Sequence, residues 1–128
     1  MNTIKILKIL LFLGGIVEIG IGLLFFIVDL FFEQIGLENI PIFTQMAGIF
    51  MFCYGILLIY STRDMEKYLI IPLLNILIRV VMVIFSLLNI IEYPQFYLIF
   101  IFAIPYDLVW SILMIVFLKQ EGILFKKL

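Results

Sequence analysis

Four long apolar stretches dominate the chain, at about residues 6–28, 42–60, 68–91 and 96–118, and short polar stretches separate them. Roughly 20 mainly apolar residues carry a helix across a hydrocarbon core about 30 Å thick, and each stretch is of that order. The separators hold the residues that loops use: Gly36, Asn39 and Pro41 after the first stretch, Ser61 to Lys67 after the second, and Glu92 to Gln95 with Pro94 after the third. Connections this short make successive helices antiparallel neighbours. The pattern therefore predicts an all-α fold, a membrane-embedded antiparallel four-helix bundle that occupies residues 1–128 as one integral membrane domain.

Composition makes lipid the solvent. With 66% of residues hydrophobic and 13% charged, a water-soluble chain of this length would expose apolar surface well beyond the few hundred Å² that monomers tolerate. The lysines and apolar run at the amino terminus have the look of a signal peptide. The run continues from Ile9 to Val28 without a small-x-small cleavage pattern, so it reads as a retained first span. No second domain, linker or internal repeat is evident.

Lysine and arginine placement sets the expected orientation, because basic residues near span ends stay on the cytoplasmic side. Lys5, Lys8, Arg63, Lys67, Lys119, Lys126 and Lys127 all fall on one side, while the opposite loops carry Asp29, Glu33, Glu38 and Glu92. Both termini are thus expected in the cytoplasm of a multi-pass cell-membrane protein. A net charge of −1 with scattered basic residues gives no nucleic-acid footprint. The single cysteine, Cys53, excludes an intrachain disulfide or a CxxC pair and is expected to be packing.

Three ionisable residues interrupt the spans: Glu18 in the first, Arg79 in the third and Asp107 in the fourth. Each lies about eleven or twelve residues from its span's start, so all three are expected near one depth. Each such charge costs roughly 2.5–3.5 kcal/mol at the centre of a spanning helix, which favours turning them toward one another. Helical spacing agrees. Asn75, Arg79, Met82, Ser86 and Asn89 share a face of the third span, Ala103, Asp107 and Ser111 step by four along the fourth, and Gly14, Glu18 and Gly22 do so along the first. Gly48 and Gly55, seven apart in the second span, suit close helix packing.

The candidate site is therefore Glu18, Arg79, Asp107 and Asn75, and it admits two readings. In one, Arg79 and Asp107 lock two helices together and Glu18 is a protonated core donor. In the other, the cluster takes a proton, a cation or a small ligand. Pro105 lacks an N–H and loosens the helix two residues before Asp107. Tyr54, Tyr60 and Trp110 are assigned to interfacial belts and packing. With no histidine, no phosphate-cradling glycine loop and no metal-ligand cluster, the usual catalytic constellations are missing. The expectation is a protein that is not an enzyme and that uses neither metal nor cofactor.

Gly15-x-x-Glu18 with Gly22, Gln45-x-x-Gly48 with Gly55, Asn75-x-x-x-Arg79 and Asp107-x-x-Trp110 together resemble the pattern of the DoxX-like small four-helix membrane proteins. That resemblance covers nearly the whole chain. It implies a bundle of mostly unassigned function, some relatives acting beside respiratory or redox complexes and others as assembly factors for partner membrane proteins. The run Leu13 to Glu18 is also similar to the surround of the single glutamate in small multidrug-resistance exporters. Two functions follow as expectations. The first is a non-enzymatic bundle that supports a partner membrane complex or binds a small ligand through the Glu/Arg/Asp cluster. The alternative is a proton-coupled exporter of cationic apolar compounds, which would act as a homodimer.

Overall fold

In the computed structural model, residues 2–34 and 41–126 are described. These residues are helical with no strand among them, and four of the helices are long and apolar enough to cross a membrane. The helices are α1 (Thr3–Gln34), α2 (Pro41–Ser61), α3 (Ile70–Asn89), α4 (Tyr97–Gln120) and the short α5 (Ile123–Lys126). A 3-10 turn, Pro94–Phe96, leads into α4.

Local chemistry sets the helix ends. The Asn2 side-chain oxygen accepts the Ile4 N–H at 3.2 Å and so caps the start of α1. The sequence places a loop from Asp29, yet α1 continues to Gln34. Nothing between Gly22 and Gly36 is glycine or proline, so no breaker stops the helix at the polar boundary. Gly36, Glu38, Asn39 and Lys127 lie outside the described residues. Pro41 opens α2 instead of closing the loop before it, at the one helical position where a missing N–H is harmless. Past the end of α4, Gly122 adopts φ +67°, the left-handed region, and its N–H bonds the Lys119 carbonyl at 3.0 Å.

The chain divides into two compact units, Lys8–Met65 and the pair Met1–Leu7 with Glu66–Leu128. In the first unit α1 and α2 run antiparallel and cross at two glycine pairs. A β-carbon on Gly55 would lie 2.5 Å from the Gly15 carbonyl oxygen, and one on Gly22 would lie 2.6 Å from the Gly48 carbonyl oxygen. The backbones meet there without room for a side chain. Approach this close also brings Cα–H groups against carbonyl oxygens, a weak attraction that recurs at helix crossings. The stripe expected on α1 through Gly14 and Gly22 is therefore displaced to Gly15 and Gly22. Seven residues make nearly two full turns, so this pair stays on one line with Gly48 and Gly55, whereas a step of eight swings off it. Cys53, expected to be packed, is exposed on α2.

In the second unit α3 and α4 run antiparallel, held in register by Arg79 against Asp107 and by an edge-on Phe85–Phe100 pair with centroids 6.4 Å apart. The buried residues of α3 are Pro72, Asn75, Arg79 and Ser86, so this helix hides polar groups and exposes its leucines and isoleucines. The expected face narrows. Met82 is 42% exposed, and Asn89 turns its amide back to the Phe85 carbonyl. On α4 the buried residues are Ser111, Met114 and Leu118.

The crossing of α1 and α2 is testable by adding methyl groups. Gly55→Leu should lower the stability of detergent-purified protein by about 1–3 kcal/mol through overpacking. Gly20, with nothing within 4 Å of a built β-carbon, should tolerate alanine and gain about 0.5–1 kcal/mol of helix stability. Thermal unfolding followed by circular dichroism checks both, and equal effects at the two positions would place the close crossing elsewhere.

Candidate functional site

Arg79 is the tenth of the twenty residues of α3, so its charge sits at the middle of an apolar helix. Its side chain is 4% exposed, and such burial is sustainable only if the guanidinium finds partners. Two come from polar groups at helical spacing. Arg79 Nε donates to Asn75 Oδ1 at 3.0 Å, one turn earlier on the same helix. Arg79 Nη1 donates to Asp107 Oδ1 on α4 at 2.6 Å, a charge-assisted bond.

Two further partners are aromatic. The guanidinium carbon lies 5.1 Å from the Tyr106 ring centroid and 5.3 Å from that of Trp110. The two rings, one helical turn apart on α4, are themselves 5.8 Å apart and inclined by 33°. A guanidinium against two ring faces gains a cation–π attraction that can reach about 2 kcal/mol when water is excluded. Asp107 is fixed in turn at its backbone, where its carbonyl accepts the Ser111 hydroxyl at 2.7 Å. Ser111 thereby occupies its own hydroxyl locally, as small hydroxyl residues in helices do.

Asn75, Arg79 and Asp107, three of the four expected site residues, form one hydrogen-bonded chain within the second unit. Glu18 belongs to the first unit. It is half-buried on α1, three residues after Gly15 and four before Gly22, and so flanks the crossing with α2. Sequence reasoning missed Tyr106 altogether and placed Trp110 in the packing. The signal was present in the spacing, since Tyr106 and Trp110 are four apart and bracket Asp107, so an acid and two rings leave α4 in the same direction. Tyr60, assigned to a belt, stacks under Arg63 at 5.1 Å.

Chemically, the centre is a cation held by an acid, an amide oxygen and two π faces. Among the described residues no group of three or more histidine, cysteine, aspartate or glutamate side chains could hold a metal ion.

Pairing at this site should be non-additive. Arg79→Leu or Asp107→Leu alone strands the other charge and should cost about 3–5 kcal/mol, while the double variant should recover most of that loss. A double-mutant cycle on unfolding in detergent measures the coupling, and additive losses would mean that the pair carries no net interaction.

Comparison with family models, with curated proteins and with solved structures found no match.

Proposed function

We propose that this chain is a multi-pass cell-membrane protein, an antiparallel four-helix bundle with both termini in the cytoplasm, that performs no catalysis. It works by holding a partner membrane protein or a small ligand, with the Asn75–Arg79–Asp107 centre as the fixed polar element in its core. The observation that carries this reading is the state of Arg79, a mid-helix guanidinium partnered by an acid, an amide and two rings.

The lipid environment is supported by where the apolar side chains point. Phe50, Leu88, Phe102 and Ile91 are 70%, 72%, 74% and 88% exposed, an arrangement that water would penalise and acyl chains would not. Four helices of spanning length, and seven basic residues that the four-span reading puts on one side, support the number of spans and the orientation. The non-catalytic reading rests on the same centre. Arg79 and Asp107 are opposite charges bonded to each other at 2.6 Å, so each serves as the other's partner. A fixed, neutral polar centre suits positioning and recognition better than bond making.

Orientation is tested by replacing Cys53 with alanine and adding single cysteines at Asp64 and Glu92. An impermeant maleimide applied to intact cells should label the cysteine at position 92 and leave that at position 64 unlabelled until the cells are opened; the reverse pattern would invert the topology. The role is tested by purifying the tagged chain from native membranes in mild detergent, where it should migrate with a second membrane component. The Arg79→Leu/Asp107→Leu protein, at equal abundance, should lose that component. Full activity of the double variant in a deletion strain would leave the ion pair with a structural role alone.

A further inference from the structure

The Asn75 amide is only half used by the network around Arg79. Its oxygen accepts the Arg79 Nε–H, which fixes the amide's orientation and leaves the Nδ2 donors to be placed. Among the described residues none accepts a hydrogen bond from Nδ2, although Asn75 is 1% exposed. A buried donor with no acceptor is uncommon in native proteins and points to an acceptor other than the described residues.

Three features narrow the class of that acceptor. Nδ2 can only donate, so the partner atom must offer a lone pair. Arg79 and Asp107 already balance each other, so a neutral acceptor adds no uncompensated charge, whereas a carboxylate would. Asn75 is the sixth of the twenty residues of α3, about 6 Å along the axis from Arg79 at mid-helix. On the membrane reading, which this inference rests on, that depth lies inside the hydrocarbon layer and below the ester groups of the lipids. We infer that Asn75 Nδ2 binds the carbonyl oxygen of a neutral, bilayer-soluble molecule, the centre at Arg79 serving as its recognition site.

On this inference the molecule enters from the lipid side of α4. Pro105 supplies no N–H to the Ile101 carbonyl, so α4 is weakest in the turn before Asp107. Tyr106 in that turn is 38% exposed.

Trp110, the sole tryptophan, reports on this position because its ring lies 5.3 Å from the Arg79 guanidinium carbon. The test uses the full chain in detergent, with benzophenone as the probe and diphenylmethane as the same shape without the carbonyl. Benzophenone should change Trp110 fluorescence saturably. Diphenylmethane should bind about tenfold more weakly, the usual scale for losing a hydrogen bond to a buried donor. Asn75→Leu should remove the preference and lower the thermal midpoint, because Arg79 loses an acceptor. If that variant fails to fold, the comparison of the two probes on the wild-type protein still decides. Equal affinity for ketone and hydrocarbon, or no saturable response, would overturn the inference and leave the amide to an internal water. Repeating the titration in phospholipid nanodiscs separates the sources: an unchanged ketone response assigns the site to free carbonyl compounds, and a response abolished by lipid assigns it to the ester carbonyls of the phospholipid and overturns the depth argument. Failure of the membrane reading would show separately, as a chain that stays in solution once detergent is withdrawn.

Discussion

A guanidinium in the middle of an apolar helix is the constraint around which the second unit is arranged. Arginine does not shed its proton, so neutralisation is closed to it and only partners can lower the cost of burial. Asn75 below it on α3, Asp107 facing it from α4, and the Tyr106 and Trp110 rings beside it meet that demand together. Because these groups must converge within hydrogen-bonding distance, they also fix how α3 and α4 lie against each other. Moving the acid by one position along α4 would turn it by about 100° away from Arg79. Apolar contacts alone would not impose such a register, since leucine and isoleucine repack readily against one another.

The α1–α2 unit solves the same problem of helix association by a different means. At its crossing two glycines on each helix let the backbones touch. In a bilayer the surroundings are as apolar as the side chains, so burying another leucine gains little and close backbone contact or a polar bond must provide the attraction. One unit uses absence of side chains and the other uses a satisfied charge. Both are specific, because a glycine crossing tolerates no β-carbon and an ion pair tolerates no missing partner.

This division of labour bears on the proposed role. The α3–α4 pair, anchored at the ion pair, leaves many of its large apolar side chains turned outward, as the exposure of Leu88, Phe102 and their neighbours shows. Such surfaces suit a protein that lies against lipid and other membrane helices. The Asn75 amide adds the unspent Nδ2 donors to that centre.

The sequence by itself determined the helices. Apolar runs of spanning length can satisfy their backbone groups in lipid only internally, so Pro41 and Pro94 mark boundaries that hold to within a residue or two, and the end of α1 was misplaced only because polarity was taken for a breaker. Arg79, Asp107 and Asn75 were legible too, because charge at mid-helix is costly and the four-residue step from Asn75 to Arg79 is a local property of one helix. What only the tertiary structure decided is which side chains meet across helices. The offset of α1 against α2 selects Gly15 over Gly14, and the rotation of α4 brings Tyr106 and Trp110 onto the guanidinium and turns Met82 and Cys53 outward. Helical periodicity gives each residue an angle about its own axis, but the angle at which two axes face each other is set by packing, which no single run of sequence contains.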